Sequence, residues 1–422
     1  MIIEFSVQNF RSIYDKVTLS MMAAKLTGKE ATLDNIFYHE NYPNIPLLKS
    51  AVIYGANASG KSNVLKALHF FKNSVVNSTD NKFGEELDYQ PFRLLKDAPK
   101  EPSCFEMDFI AQDGIRYIYG FKATVKEVLE EYLSIFTSRK ETKLFIRKKG
   151  EKIQFSSSFK GEKKVLEEQL LKNNLLLSKA ANSNYQQLQI IYTYFSHHIN
   201  LTDEIKGTTY YSHEYYEAKF YTAKKINEND SFTKRVIDIL RSADTGIENF
   251  KVKKYEDNGA LFSIGDYYDI EVMHTYFDNE SSLSVTWPLA EESEGTQKLF
   301  ELTGVILDIL DNGETLIFDE INNSLHPHLS KFIIDLFHNK KTNPKNAQLI
   351  FTTHDATLLT KENFRRDQVW FTSKNEKGMT QLYSLGDFDK KEVRWDIPFD
   401  RWYLTGRFGA VPNIQDYKLH SK

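Results

Sequence analysis

Three stretches of the chain carry residues suited to chemistry. The first is "GANASGKS", Gly55 to Ser62, which fits G-x-x-x-x-G-K-[ST] at every fixed position. An apolar strand-like run, Ser50 to Tyr54, precedes it and an amphipathic helical pattern follows. A loop that wraps a triphosphate must bring backbone N–H groups close to oxygens. Gly55 and Gly60 leave room for that approach, with Ala56, Asn57, Ala58, Ser59 and Asn63 completing the segment. The helix start adds its dipole, Lys61 supplies a cation for the β- and γ-phosphates, and Ser62 a hydroxyl for Mg²⁺. The alternative is a chance glycine-rich turn, which the flanking elements argue against.

The second stretch is "ETLIFDEINNSLHPHL". Thr315 to Phe318 suit a buried strand, which places Asp319 and Glu320 at its C-terminal end, where ligands lie in parallel α/β sheets. Asp319 would hold the Mg²⁺ shell and Glu320 would polarise an attacking water. Adjacent acids at a strand end can also be plain solvated residues; the lysine loop upstream favours the catalytic reading. A further buried strand, "QLIFTTHD", ends at His354, placed to sense a γ-phosphate, or else simply a histidine satisfied in a turn.

The third stretch, "EESEGTQKLF", puts Ser293 where it would cap a helix beginning at Glu294 or Gly295. Gly295 lets an anion approach that helix start. A single nucleotide does not need two helix termini from distant parts of one chain, unless the second serves another subunit.

These motifs must be positioned by an α/β framework. The N-terminal residues read as strand, turn, strand, and the pattern is β-rich from about 83 to 155. From 158 to 247 helical spacing takes over, as in Leu188, Ile191, Tyr192 and Phe195, and in Phe232, Val236, Ile239 and Leu240. β-rich sequence resumes near 250. Three segments are therefore expected: 1–157, a mainly helical insertion 158–247, and 248–422.

The composition bounds the function. With 422 residues, 41% apolar and 14% aromatic, the chain can bury a sizeable core. A net charge of −4 gives no global basic field, so any nucleic-acid contact would need a local patch. The single Cys104 excludes an internal disulfide and fits a reducing compartment. There is neither a signal-peptide layout nor an apolar run of the roughly 20 residues that span a bilayer. A soluble, cytoplasmic protein is expected, with no membrane partner.

Taken in order, "QNFRS", "GANASGKS", "SEGTQK", "IFDE", "NNSLHP" and "FTTHD" resemble the motifs of ABC-type ATPase heads. Within these, the chain is similar to the group of RecF, the structural-maintenance-of-chromosomes proteins and the overcoming-lysogenization-defect enzymes. More narrowly, "SVQNFRSI", "RRDQVWFT" and "YLTGRFGAVPNI" resemble bacterial AAA-family ATPases of the RloA and abortive-infection AbiL type, some of which serve in antiphage systems. The resemblance implies an α/β fold, a P-loop NTPase head with a mixed β-sheet lobe and a helical insertion. ATP and Mg²⁺ are its implied cofactors. It places Asn9, Phe10 and Arg11 by the nucleotide, Ser293 and Gly295 on the γ-phosphate bound by the opposite subunit, and His354 as the switch histidine. Asn323, Ser324, Leu325 and His326 become the loop communicating across a dimer, and Gln90 the candidate Q-loop glutamine.

The implied partners are a second copy, in a homodimer or larger homo-oligomer, and a separate effector such as a Toprim-like or HNH nuclease. No fused nuclease fits in the residues after His354. "SEGTQ" departs from Ser-Gly-Gly-Gln by carrying Glu294 where glycine is common. Two other readings stay open: a RecF-like DNA-clamping repair ATPase, and a scaffold that uses ATP as glue.

Softer features weigh less. Tyr210, Tyr211, Tyr215, Tyr216 and Tyr221, interleaved with Lys219, Lys224 and Lys225, could stack on single-stranded nucleic acid. A packed aromatic surface or docking face with solvated lysines is the favoured reading. His197, His198, His213, His326 and His328 lack the cysteine or carboxylate spacing of a closed metal site. Trp395, Trp402 and Tyr403 are expected in the core or at an interface.

Overall fold

The structure is a computed structural model that describes residues 1–26, 34–137, 140–202, 218–255, 267–278, 281–389 and 397–412. The chain folds into two compact units, one formed by Met1–Ile199 with Thr352–Lys422, the other by Asn200–Phe351.

The first unit is built on a seven-stranded antiparallel sheet. Its order is Gln154–Phe155, Glu141–Lys148, Val128–Phe136, Arg116–Ala123, Ser103–Ile110, Ile2–Gln8 and Val17–Ser20. Apolar residues alternate along these strands, so one face is available for burial. The helix Lys61–Asn77 presents Val64, Leu65, Leu68, Phe71 and Val75 as a buried stripe. Phe71 lies 5.6 Å from Phe121 and 5.3 Å from Phe195, centroid to centroid, in an aromatic cluster with Phe5 and Phe105.

The strand Ser50–Gly55 is buried at every position, as expected of a parallel strand covered on both faces. It pairs in parallel with Val369–Lys374, which turns back into Thr380–Ser384. The "RRDQ" run secures the foot of this pair. Arg365 grips Asp367 through two bonds of 3.0 and 2.7 Å, and Gln368 donates to the Ser50 hydroxyl at 2.8 Å. Such a buried ion pair requires this full set of partners to offset its desolvation.

In the second unit, Asn249–Tyr255, Tyr267–Asp278 and Ser281–Pro288 form a three-stranded antiparallel sheet. Its Phe250 and Val272 join Ala223, Val236, Leu240, Leu299, Phe300 and Leu307 in one core. The helices Ala218–Glu228 and Glu294–Asn312 approach closely at Gly304, where a Cβ would come within 2.9 Å of the Thr222 Cα. Glycine is required there by proximity. Two ion pairs also hold the longer helix, Lys225 on Asp308 at 2.7 Å and Arg235 on Asp311 at 2.6 Å. The strand Thr315–Phe318 runs parallel to Gln348–Thr352, with Phe318 opposite Phe351.

Helices read between 158 and 247 fall on both sides of the division: Gln186–His197 belongs to the first unit, Asp230–Ser242 to the second. Tyr210, Tyr211, His213, Tyr215, Tyr216 and Trp395, and the side chain of Lys219, lie outside the described residues. Tyr221 is packed, donating its hydroxyl to Asp308. Burial pushes His198 down to about 4, its ring stacked on Tyr194. Among the described residues, no helix is long and apolar enough to cross a membrane.

Candidate functional site

Lys61 and His354 belong to the first unit; Asp319, Glu320, Ser293, Gly295 and Ser324 belong to the second.

The glycine-rich loop leaves the strand at Gly55 and closes on the helix at Lys61. Gly60 is the N-cap, at φ 114°, and contributes no side-chain cap; no acid lies in the first turn. The Lys61 amine is buried and donates to the carbonyls of Gly55 at 2.8 Å and Ala56 at 3.1 Å. Asn57 and Ala58 are exposed at the outer bend, Ser62 and Asn63 half-buried behind it. The donor set fits a triphosphate: a cation curled over its own loop, beside a helix start that no side chain caps.

The two glycines have a reason the motif does not reveal. A Cβ on Gly55 would sit 2.4 Å from the Thr372 hydroxyl, and one on Gly60 would sit 2.1 Å from that of Thr380. Their missing side chains make room for neighbouring strands as well as for oxygens. Those threonines anchor the loop. Ser59 Oγ lies 2.6 Å from Thr372 Oγ1, which donates on to the Tyr54 carbonyl at 3.4 Å. A second relay runs from the Asn63 amide to Ser12 Oγ at 2.6 Å, then to Thr380 Oγ1 at 2.7 Å, which donates to the Ser59 carbonyl at 2.8 Å. Ser12, Thr372 and Thr380 escape sequence reasoning because hydroxyl residues on strands and turns have no diagnostic spacing.

The N-terminal motif separates into three roles. Asn9 is buried and its amide donates to the carbonyls of Ala98 and Glu101, both at 2.9 Å, while its Oδ1 accepts from Phe92 N–H at 3.0 Å. Phe10 packs on Phe70 and Phe105. Arg11 is half-buried, its N–H donates to the Gln90 carbonyl at 2.6 Å, and its Nε is buried without a hydrogen-bond partner. Of the three, Arg11 keeps a side-chain donor without a hydrogen-bond partner among the described residues. Gln90 itself is exposed.

His354 is exposed just beyond the strand Gln348–Thr352. The next residue, Asp355, accepts the Tyr54 hydroxyl on its carbonyl at 3.1 Å. Tyr54 lies 5.4 Å from the Tyr403 ring. Tyr403 thus packs inside the unit, against Tyr54 and Phe371. Trp402 carries Arg407 over its ring at 4.4 Å.

In the second unit, Asp319 and Glu320 follow the buried strand Thr315–Phe318, and both are half-buried. Glu320 accepts Asn323 N–H on its carbonyl at 2.8 Å, making a tight turn. Ser293 is the N-cap of Glu294–Asn312, its Oγ accepting Thr296 N–H at 3.2 Å. A Cβ on Gly295 would lie 3.3 Å from the Ser324 carbonyl, so the fold brings Gly295 and Ser324 together. Asn323 and Ser324 are exposed, Leu325 is buried, and His326 caps the helix Pro327–His338 through His328 N–H at 3.3 Å.

Backbone strain marks these motifs. Nine described non-glycine residues have positive φ: Asn9, Arg11, Ala58, Asn184, Asp244, Glu320, Ser324, Asn346 and Ala410. Asparagine and aspartate tolerate that region readily, which accounts for three of the four outside the motifs. Arg11, Ala58, Glu320 and Ser324 have no such tolerance, and each costs about 1–3 kcal/mol that the surrounding structure must offset.

A family model described as "AAA domain, putative AbiEii toxin, Type IV TA system" matches residues 50–360. No curated protein matches the chain. Among solved structures, it is similar to one titled "Crystal structure of the SmcHead bound to the C-winged helix domain of ScpA", at 14% identity and a TM-score of 0.44 over 93% of this chain and 99% of that one. It is also similar to the "recombination mediator protein RecF-ATPrS in RecFOR pathway", at 15% identity and a TM-score of 0.37 over 90% and 98% of the two chains.

Proposed function

The chain belongs to the AAA-domain family matched over residues 50–360, and from that premise we propose that it hydrolyses ATP to ADP and phosphate as an ABC-type head working in an ATP-gated homodimer. The glycine-rich loop carries this reading: a buried Lys61 amine sits on the loop's own carbonyls, at a helix start no side chain caps. Gly55 to Asn63 would cradle the phosphates, with Arg11 adding positive charge. Mg²⁺, held by Ser62 and Asp319, would neutralise charge on the β- and γ-oxygens. Glu320 would orient and deprotonate water, and His354 would hydrogen-bond the γ-phosphate.

Ser293 and Gly295 would contact the γ-phosphate held by the opposite subunit, with Ser324 beside them. ATP would then join two surfaces, and hydrolysis would remove the shared group. The output would be control of a separate effector nuclease in antiphage defence, as in the RloA and AbiL type that the motifs resemble. The family description, which names an AbiEii toxin and a Type IV system, supports a defence context.

The test mixes two dead subunits. Ser293→Arg and Lys61→Ala proteins should each lack turnover, and their mixture should regain one working site per heterodimer. No recovery where heterodimers demonstrably form would sink the shared-site reading. Glu320→Gln should keep ATP binding and trap the dimer; normal turnover by that variant would remove Glu320 from the mechanism.

A DNA-clamping repair ATPase is the second reading. Exposed Lys148, Lys149 and Lys152 lie in and after Glu141–Lys148, with Lys149 paired to Glu127 at 2.7 Å, so a DNA contact there would use a short, partly neutralised basic stretch. Hydrolysis stimulated by duplex DNA, lost at high salt, would select it.

A further inference from the structure

The residue before Ser293 is held by an assembly most of which lies outside the motif. One carboxylate oxygen of Glu292, Oε1, accepts from Trp287 Nε1 at 2.7 Å and meets His274 Nε2 at 2.8 Å. The two rings stack at 4.2 Å with planes 9° apart. They come from adjoining strands, where Val272 faces Trp287 and His274 faces Val285, so the rings are diagonal neighbours on one side of the hairpin. From the helix side, Gln297 donates its amide to the carbonyls of Glu292 at 2.7 Å and Ala290 at 3.2 Å. Glu292 is therefore gripped by its side chain from the hairpin and by its carbonyl from the helix. Ser293, the next residue, is exposed, and its hydroxyl engages Thr296 through both its N–H and its hydroxyl.

We propose that His274, Trp287, Glu292 and Gln297 are positioning residues that set the place of Ser293 and Gly295 on the phosphate of the opposite subunit. This rests on the shared-site reading above. They would act through the backbone of the signature turn. Glu292 would be the joint, because it connects the hairpin Tyr267–Asp278 and Ser281–Pro288 to the first turn of Glu294–Asn312. A displacement of the hairpin would then be felt at Ser293, which makes the hairpin an input to hydrolysis.

The test uses the full chain. Glu292→Ala removes both ring contacts; Glu292→Gln keeps one amide oxygen to accept them; Trp287→Phe removes one donor and leaves most of the stacking area. Glu292→Ala should bind ATP with unchanged affinity and lose kcat by about ten- to a hundredfold, the scale expected when a group is misplaced by about 1 Å. Glu292→Gln should restore most of it, and Trp287→Phe should fall between the two. Mixed with Lys61→Ala, the Glu292→Ala protein should recover turnover, because its own loop is intact and the signature comes from the partner.

A general folding defect would not be complemented in this way. Parent-like kcat for both Glu292→Ala and Trp287→Phe overturns the proposal. So does loss that stays uncomplemented where Ser293→Arg mixed with Lys61→Ala recovers. If that reference mixture also fails, the shared-site reading falls and takes this inference with it. Should Glu292→Ala not fold, the same readouts apply to Trp287→Phe.

Discussion

Two helices in this protein begin at turns suited to an anion, and they are finished differently. The helix Lys61–Asn77 starts at Gly60, with no side-chain cap and no acid in its first turn. The helix Glu294–Asn312 is capped by Ser293 Oγ on Thr296 N–H at 3.2 Å and carries Glu294 in its first turn. A helix start without a side-chain cap leaves more N–H groups for an anion, whereas a serine cap already satisfies one of them and an acid in the first turn opposes further negative charge. On the proposed function the first would be the primary phosphate site, and the second would offer its capping hydroxyl to a phosphate brought by the other subunit. The same helix-terminus physics would then serve binding in one place and docking in the other.

The largest effects should fall on the first helix. Lys61→Ala should abolish measurable ATP binding and lower turnover by about a thousandfold or more, on the scale of losing a principal electrostatic contact. Ser293→Arg should lose turnover while its own loop still binds ATP in a titration. If both variants lost binding equally, the distinction between the two helix starts would collapse.

Gly60→Ala comes next. Its Cβ would meet Thr380 Oγ1 at 2.1 Å from a backbone at φ 114°, so a loss of about 1–3 kcal/mol in chemical denaturation is expected, with weakened ATP binding. Unchanged values would show that Thr380 is not a rigid wall of the loop.

Ser293→Ala should cost about 1 kcal/mol of stability and Ser293→Gly only a few tenths, the usual order for an N-cap. Turnover should fall in both. A turnover that tracked stability alone would reduce Ser293 to a cap. Smallest of all, Glu294→Gln removes a charge that steadies the helix dipole but opposes an incoming phosphate. ATP-driven association, followed by light scattering, should strengthen about two- to fivefold, matching roughly 0.3–1 kcal/mol. Weaker association would show that the acid assists the contact.

Much of the local architecture was legible. Ser50–Gly55, Thr315–Phe318 and Gln348–Thr352 are apolar runs bounded by turn residues, and all three are strands. Ser293 caps the helix that begins at Glu294, as its side chain and the following pattern indicate. Asn9 and Phe10, which the resemblance sets beside the nucleotide, use their side chains on the Ala98 carbonyl and on Phe70 and Phe105. Their spacing could not distinguish a ligand contact from a support, since both require a residue at a tight turn. Thr372, Thr380 and the His274–Trp287–Glu292 assembly were hidden because each joins residues from separate strands or turns.

The sequence by itself determined the elements and their termini: a glycine-rich turn between strand and helix, acids after an apolar run, a serine before a helical pattern. These follow from short-range sterics, hydrogen-bonding capacity and periodicity, which act within a few residues. Tertiary structure alone decided which groups support them. It set Thr380 against Gly60, left Arg11 Nε buried without a partner, put Gly295 beside Ser324 and placed two rings on Glu292. Such contacts depend on strand register and helix approach. Those are settled by packing the whole core, and no local pattern encodes them.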